Sequence, residues 1–202
     1  MIEKDRFIAR KDEDFDGWIA ARRFGVTATQ VSNAATPAGF ERVAADFLIE
    51  WSEPDNPYMQ FGRDWEGHIA SWADAEFGVA PNEWLIAGDN PRHLATPDGL
   101  SKDHRTIGEY KTTGKDWETV EKMPIRYRRQ VQWQLHVTGA DRCLVAWLIR
   151  AEVETPGGPM FVPEVFTPSF GWVERDEEMI ADLVVTADRL WRFVNDCYLI
   201  WD

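Results

Sequence analysis

The feature that most constrains this chain is a pair of short, strand-like runs, ATPDGL at residues 95–100 and GEYKTT at residues 108–113. Asp98 lies in a Pro-Asp-Gly turn, and Glu109 and Lys111 are two residues apart in the second run. Because alternate residues of a strand point to the same side, Glu109 and Lys111 are expected to share one face. A hairpin between the two runs would bring Asp98 beside them. The sequence therefore predicts two carboxylates and one ammonium group on one face of a sheet.

Two carboxylates beside a lysine form an oxygen-ligand site for Mg²⁺ with a fixed positive charge next to it. Such a site suits phosphodiester hydrolysis, in which the metal ion polarises the phosphoryl oxygen and the lysine stabilises developing charge. Mn²⁺ is expected to replace Mg²⁺, and Ca²⁺ is not. The spacing alone leaves a second interpretation open, in which Asp98 only forms the turn and the pair Glu109 and Lys111 is a solvated strand face.

Helical patterns precede these runs, and helices and strands follow them. Four helices are predicted within about residues 1–80, over DFDGWIAARR, TATQVSNAA, FERVAADFLIEW and NPYMQFGRDWEGHIASWADAEFG. Three strands follow, then a helix over PIRYRRQVQWQLHVTG, and then strands over RCLVAWLIRAEV and PMFVPEVF. An amphipathic helix is expected over about residues 174–200. This order predicts a single α/β domain over residues 1–202, with one small mixed β-sheet at about 83–167 flanked by helices.

Composition excludes several classes of protein. A chain of 202 residues with 44% hydrophobic side chains can bury a core, which argues against a disordered or fibrous protein. Its two cysteines, Cys143 and Cys197, are too few for an iron–sulfur cluster or a four-thiolate zinc site. The charged amino-terminal segment lacks the apolar run of a signal peptide, and no stretch is long and apolar enough for a membrane span. We therefore expect a cytoplasmic protein.

The distribution of charge along the chain bears on whether the protein binds nucleic acid. A net charge of −13 argues at first against nucleic acid, because an acidic surface repels phosphates. Residues 101–150, however, carry ten basic and six acidic side chains. The basic part of the chain therefore coincides with the segment that carries Glu109 and Lys111.

The chain resembles the PD-(D/E)XK nuclease superfamily and, within it, the lambda-exonuclease-like (YqaJ-type) viral recombinase family. Four blocks carry the resemblance in the family's order over about residues 15–150: ARRFGVTATQVSN, FGRDWEGHIASWADAEFG, ATPDGL with GEYKTT, and IRYRRQVQWQLHVTGA. The resemblance implies the restriction-endonuclease-like core of that superfamily. The last fifty residues show no usable similarity.

The resemblance implies a role for individual residues. Asp98 and Glu109 match the family's metal ligands, with the carbonyl group of Tyr110 as a further ligand, and Lys111 matches the motif lysine. Glu66, four residues after Gly62, matches a helical glutamate that completes the metal shell. The family's Tyr-X-X-Gln pattern, on the helix after the core, falls on Tyr127 and Gln130. One helical turn separates these two residues, so they share a face, and the alternative is an ordinary helix with Tyr127 in the core.

The block ARRFGVTATQ resembles the family's pocket for a terminal 5′-phosphate. The matching positions are Arg22 and Thr29, with Thr96 as a third contact, and a guanidinium with short hydroxyl donors is a suitable phosphate clamp. The alternative for Arg22 is a solvated helix end. One position departs from the family, because a basic residue expected six positions after the motif lysine is replaced by Trp117, and Lys115 is the candidate substitute.

The function that the resemblance implies is a Mg²⁺-dependent 5′→3′ exonuclease acting on linear duplex DNA ends in phage-type recombination. Such an enzyme leaves 3′ single-stranded overhangs, works beside a single-strand annealing protein in the cytoplasm of a bacterial host, and forms a homo-oligomer, a ring of three subunits. One alternative is another PD-(D/E)XK nuclease, such as a structure-specific endonuclease; a Cas4-like nuclease is disfavoured by the missing cysteines. The other is a DNA-end-binding protein that does not cleave.

Overall fold

The computed structural model describes residues 1–49, 55–156 and 158–201, with side chains as far as residue 197. Its helices are α1 (Phe15–Arg22), α2 (Ala28–Ala34), α3 (Pro37–Leu48), α4 (Pro57–Phe77), α5 (Ile125–Thr138) and α6 (Glu177–Trp201). Its strands are β1 (Phe7–Arg10), β2 (Val26–Thr27), β3 (Val79–Pro81), β4 (Trp84–Ala87), β5 (His93–Ala95), β6 (Gly99–Ser101), β7 (Thr106–Thr113), β8 (Arg142–Thr155), β9 (Gly158–Pro163) and β10 (Ser169–Glu174). None of the helices in these ranges combines the length and apolar character that spanning a bilayer requires.

The described strands form two sheets. The smaller sheet has the order β1–β4–β5–β2, in which β5 and β2 are parallel and the other neighbours antiparallel. The larger has the order β10–β8–β7–β6–β3, in which β7 and β8 are parallel and the other neighbours antiparallel. The second half of β8, from Arg150 onwards, pairs with β9 as an antiparallel hairpin. The predicted mixed α/β class is confirmed, although the strands divide between two sheets where the sequence predicts one.

The parallel pair β7 and β8 is buried between two helices. Cys143, Val145 and Trp147 of β8 pack with α5, whereas Leu144 and Ala146 pack with α4. Burial on both faces explains why β8 reads as a nearly continuous apolar run. Helix α5 is the crossover that a parallel pair of strands requires. The face of β7 that carries residues 107, 109 and 111 is therefore covered by α5.

The predicted helices form, and their caps explain where they start and stop. Before α2, the side chain of Gln30 accepts a hydrogen bond from the Thr27 amide at 2.8 Å, as in a capping box. Helices α4 and α5 end at Gly78 and Gly139, whose φ angles of 66° and 71° favour glycine. The predicted end of the third helix, at residues 50–51, lies outside the described residues.

The boundaries of the sheet core differ from the predicted 83–167. Strands β1, β2 and β3 lie before residue 83, and β10 lies after residue 167. Strands β1 and β2 are four and two residues long, which is too short for a period of two to be recognised. Because β10 ends at Glu174, helix α6 begins at Glu177 and not at residue 174.

The ring of Tyr110 lies over two glycines of the paired strands, Gly99 in β6 and Gly108 in β7. A Cβ atom at Gly108 would lie 2.5 Å from the Tyr110 hydroxyl oxygen and 2.7 Å from Cζ. The ring has no room to move away, because it is buried and its hydroxyl donates a hydrogen bond to the Val79 carbonyl at 3.3 Å. The glycine before the Glu-Tyr-Lys run is therefore a packing requirement.

Gly108→Ala is expected to lower the free energy of unfolding by about 1–3 kcal/mol, because the added methyl group overpacks a buried site. Gly67→Ala is the matched control, since Gly67 is exposed on α4 and its Cβ would meet no atom within 4 Å. That control should gain about 0.5–1 kcal/mol, because alanine is the better helix former. Urea unfolding of both variants checks the account, and wild-type stability in Gly108→Ala would refute it.

Candidate active site

The antiparallel pairing of β6 with β7 brings Asp98 to Glu109. Gly99 lies opposite Gly108, and the Asp98 amide donates a hydrogen bond to the Gly108 carbonyl at 2.9 Å. The Tyr110 amide donates in turn to Asp98 Oδ2 at 2.6 Å. The predicted hairpin, with Asp98 beside the Glu-Tyr-Lys run, is therefore confirmed.

Glu109 lies at the centre of this arrangement and is fully buried. Its Oε1 atom forms an ion pair with Lys111 Nζ, so the two side chains share one face of β7 as predicted. Its Oε2 atom accepts a hydrogen bond from Gln134 Nε2 of α5 at 2.7 Å. Burial by itself lowers the pKa of the Lys111 ammonium, but the charges of Glu109 and Asp98 outweigh burial and hold that pKa above its ordinary value.

The surroundings of Asp98 oppose the ionisation of its carboxyl group. Burial raises the pKa of Asp98 well above its ordinary value, and the nearby charges of Glu109 and Glu66 raise it further. Lys111 and the hydrogen bond from the Tyr110 amide act in the opposite direction. Glu66, on α4, is therefore close enough to Asp98 to repel it, as a shared site would require.

The donor set fits a divalent cation. Carboxylate oxygens are the ligands that Mg²⁺ prefers, and a dication between them would relieve the repulsion at Asp98. Glu109 Oε1 is buried and has no hydrogen bond beyond its ion pair with Lys111. In the described part of the chain, no three His, Cys, Asp or Glu side chains are placed so that they could hold a metal ion as they stand. The carboxylate of Glu109 is instead engaged by Lys111 and Gln134.

Two adjoining cavities open over this cluster. The larger, of about 610 Å³, is lined by α2, α4, α5, β7 and β8. The smaller, of about 180 Å³, includes Asp98. Thr29, Glu66 and Gln130 line both cavities. The predicted residues that line only the larger cavity are Tyr110, Lys111 and Tyr127, and those that line only the smaller one are Arg22, Thr96 and Asp98. The structure therefore brings the predicted site residues together, with Glu109 buried beneath them.

The smaller cavity contains several polar groups without partners. The Arg22 guanidinium is stacked over the Trp18 ring at 4.3 Å, and burial lowers the pKa of Arg22. Among the described residues, no carboxylate forms an ion pair with Arg22. In the described structure, three further atoms from residues of this cavity are buried and form no hydrogen bond: Trp18 Nε1, Thr96 Oγ1 and Gln134 Oε1. Trp18 Nε1 and Thr96 Oγ1 can donate to a small anion beside the half-buried Arg22 cation, whereas Gln134 Oε1 can only accept.

Helix α5 presents Tyr127 and Gln130 to the larger cavity. The Tyr127 hydroxyl accepts a hydrogen bond from Arg126 at 2.6 Å, and Lys111 Nζ lies 5.5 Å from the centre of the Tyr127 ring. The alternative in which Tyr127 is an ordinary core residue is therefore only partly correct, because its ring packs against Trp117 while the side chain still lines the cavity.

The departure at Trp117 has a structural explanation. Its side chain is buried against Tyr127 and Trp147, with ring centroids 5.6 and 5.2 Å away. Neither Trp117 nor the exposed Lys115 lines either cavity. In the described structure, Lys115 therefore does not replace the missing basic residue.

Sequence reasoning missed Gln134 and the residues around the mouth of the larger cavity. Gln134 lies four residues after Gln130, so the two glutamines share one helical face, and this spacing is the signal that could have indicated it. Tyr58, Arg126 and Arg150 line the larger cavity as well. They lie on three separate elements, α4, α5 and β8. No local pattern could have grouped them.

The fold and site define a class of protein. A mixed sheet between two helices, with an Asp turn paired to a Glu-X-Lys strand, is the core that the resemblance to the PD-(D/E)XK superfamily implies. Residues 17–141 match the YqaJ-like viral recombinase domain, and the chain belongs to that family. The predicted resemblance over about residues 15–150 is thereby confirmed.

Solved structures share the fold over most of the chain. An alkaline exonuclease from Laribacter hongkongensis is 24% identical, with a TM-score of 0.70 over 90% of this chain and 93% of that one. Its complex with dAMP gives 23% identity and a TM-score of 0.68 over the same shares, 90% and 93%. A phage-related exonuclease from Haemophilus somnus 129PT is 12% identical, with a TM-score of 0.66 over 88% of this chain and 96% of that one. The search of curated proteins gave no match.

Proposed function

We propose that this protein is a metal-dependent DNA exonuclease that degrades one strand of linear duplex DNA from its 5′ end and leaves a 3′ overhang. The observation that carries the proposal is the cluster of Asp98, Glu109 and Lys111 beneath two cavities that share Glu66. The family is that of viral recombinases, and the structures with the same fold include an alkaline exonuclease and a phage-related exonuclease. Phage-type recombination is the process in which such an activity acts.

The residues that would hold the metal are Asp98, Glu109 and Glu66, with the carbonyl group of Tyr110. A bound Mg²⁺ supplies Lewis-acid activation of the phosphoryl group and lowers the pKa of water. A cation held there would share the Glu109 carboxylate with Lys111. Gln134, which donates to the other carboxylate oxygen at 2.7 Å, orients Glu109.

Three side chains of the larger cavity serve the reacting phosphate. Lys111 is charged, because the pKa of its ammonium group is raised, and it is positioned to stabilise charge that develops on the phosphoryl oxygens. Gln130, which lines both cavities, can bind the DNA backbone between them. Tyr127 holds the Arg126 guanidinium at 2.6 Å and packs near Lys111, so it orders two cations along the same wall.

The smaller cavity is the proposed site for the terminal 5′-phosphate. Arg22 supplies the charge, and Thr29 and Thr96 supply short hydroxyl donors on the same cavity wall. Asp98 lines this cavity too, so a phosphate bound there lies next to the metal ligands. Each 5′→3′ step regenerates a 5′-phosphate, which gives this pocket a substrate after every cleavage.

Arg22→Ala is expected to weaken the binding of 5′-phosphorylated ends by about 1.5–3 kcal/mol, the contribution of a hydrogen bond to a charged group. Ends with a 5′-hydroxyl should change little. Arg23→Ala is the control, since Arg23 is exposed and does not line the smaller cavity. Digestion rates on both kinds of end measure the effect. Equal slowing on the two ends would make Arg22 a general DNA contact and place the phosphate elsewhere.

A closed ring of three subunits would allow a chain with a net negative charge to bind DNA. The family resemblance implies this assembly, and we propose that the basic segment 101–150 of each subunit faces the channel. Positive charge would then be concentrated where the DNA lies, while the net charge of −13 keeps other surfaces free of it. A single-strand annealing protein is the partner that would bind the 3′ strand.

A comparison of linear, nicked circular and covalently closed duplex DNA tests the proposed function against its alternatives. Degradation that begins only at linear ends supports an exonuclease. Cleavage of the closed circle would instead indicate an endonuclease. Binding of ends without any degradation in Mg²⁺ would indicate an end-binding protein.

A further inference from the structure

An aromatic and guanidinium stack lies at the mouth of the larger cavity. The Arg150 guanidinium carbon lies 4.5 Å from the centre of the Tyr58 ring and 5.8 Å from that of Phe161. The Tyr58 and Phe161 ring centroids are 5.1 Å apart at an interplanar angle of 37°. Tyr58 and Arg150 line the cavity together with Lys111. The stack therefore borders the space in which the proposed function places the reacting phosphate.

Within the stack, Phe161 is held in place by its neighbours, whereas the Tyr58 ring is largely exposed. Phe161 packs edge-on against the buried Phe61, with ring centroids 6.3 Å apart. Phe161 also lies in β9, whose pairing with β8 fixes it relative to Arg150. Tyr58, in contrast, is 53% exposed. A rigidly supported ring with a large exposed surface can accept another flat group at little entropic cost.

The charges at this mouth are suited to nucleic acid. Among the described residues, no carboxylate forms an ion pair with Arg150. Arg126, which also lines this cavity, likewise stacks on an aromatic ring, at 4.5 Å from the centre of the Tyr127 ring. Planar cations and aromatic rings around a cavity are the combination that binds single-stranded nucleic acid, through backbone charge and base stacking.

We propose that Tyr58, backed by Phe161 and Arg150, stacks against an unpaired nucleobase next to the phosphodiester that the site holds. A base inside a duplex is covered on both faces by its neighbours, whereas a splayed or single-stranded base exposes a face to the Tyr58 ring. The stack thus selects a frayed or single-stranded end. This proposal rests on the proposed nuclease function and adds a contact to the base, whereas the metal ligands and the phosphate pocket contact the backbone.

Abasic substitution tests the stack, because it removes one base and retains its phosphate. The probes are 5′-phosphorylated oligonucleotide duplexes with frayed ends, each with one abasic residue at a successive position near the end. Binding is measured by fluorescence anisotropy in Ca²⁺. With wild-type protein, one position is expected to lose affinity by about 5- to 150-fold, the range for base stacking on an aromatic ring.

Variants of Tyr58 test whether that loss of affinity comes from stacking on the Tyr58 ring. Tyr58→Leu should bind natural DNA as weakly as the wild type binds the abasic probe, with no further loss on that probe. Tyr58→Phe should behave as wild type, because it retains the ring. Phe166→Leu is the matched control, since Phe166 is 64% exposed against Trp65 but does not line the cavity.

If the abasic substitution lowers affinity equally in Tyr58→Leu and in wild type, the proposed stacking is wrong, but the proposed nuclease function is not affected. The same probes are then incubated with wild-type protein in Mg²⁺. Cleavage there shows that the proposed function holds independently. Failure to cleave any natural probe would overturn the proposed function, and the stack with it.

Discussion

Asp98→Asn is expected to abolish DNA cleavage and, in the absence of metal, to raise the stability of the fold. Loss of a metal-binding carboxylate should slow cleavage on the order of 10³-fold or more, because a metal site supplies several kcal/mol of transition-state stabilisation. The fold should gain stability because burial and the nearby charges of Glu109 and Glu66 both oppose the ionised form of Asp98, and asparagine carries no charge. The amide oxygen of asparagine can still accept the hydrogen bond from Tyr110.

The opposite effect on stability is expected for Glu109→Gln, which should also abolish cleavage. This change removes the partner of the Lys111 ammonium, and a charge that loses its buried partner destabilises the fold. Asp64→Asn is the control for both, because Asp64 is exposed on α4 and bonded only at the surface, to Gln60 at 2.6 Å. Thermal unfolding in EDTA separates the three variants, since each 1 kcal/mol shifts the midpoint by about 2–4 °C. Full activity in Asp98→Asn, or a lower midpoint for it than for Glu109→Gln, would contradict this account of the site.

Removal of divalent metal is the second change with a large expected effect. Excess EDTA should stop degradation, Mn²⁺ should restore it as Mg²⁺ does, and Ca²⁺ should not. A second readout does not depend on activity. Mg²⁺ should raise the unfolding midpoint of the wild type, because a ligand that binds only the folded state stabilises it. In Asp98→Asn the same addition should have little effect.

Persistent activity in excess EDTA would remove the metal from the mechanism. If Mg²⁺ raises the unfolding midpoint equally in wild type and Asp98→Asn, the cation binds elsewhere on this acidic chain. Asp64→Asn, which keeps the three carboxylates, should show the wild-type shift.

The parts of the site that could be predicted from the residues are local ones. The same-side placement of Glu109 and Lys111 follows from the period of a strand, and the turn at Asp98 follows from Pro-Asp-Gly. Gln134 could not be predicted in the same way. Its contact with Glu109 depends on how α5 packs across the β7 and β8 pair, which is a tertiary relation between segments 25 residues apart.

The convergence of Arg22, Thr29 and Thr96 on one cavity has a different origin. The residues alone indicated only a charged helix end and two threonines, and their grouping came from the family resemblance. In the structure, α1 and α2 bring the first two to the wall that also holds Thr96 after β5. The short parallel pairing of β2 with β5 fixes that approach. A strand of two residues leaves no periodic signal in a sequence, so the pairing that places β4 and β5 in a sheet of their own cannot be predicted from it.

The most direct test of the account is a time course on linear duplex DNA that carries a radioactive phosphate at one 5′ end. Wild-type protein in Mg²⁺ should release the label as mononucleotide at the earliest time points, while a complementary strand whose own 5′ end is blocked stays full length. With excess EDTA, or with Asp98→Asn in Mg²⁺, the label should remain in full-length DNA. Release of the label under either of these two conditions, or no release by the wild type in Mg²⁺, would contradict the assignment of Asp98, Glu109 and Lys111 as the centre of a metal-dependent 5′→3′ exonuclease.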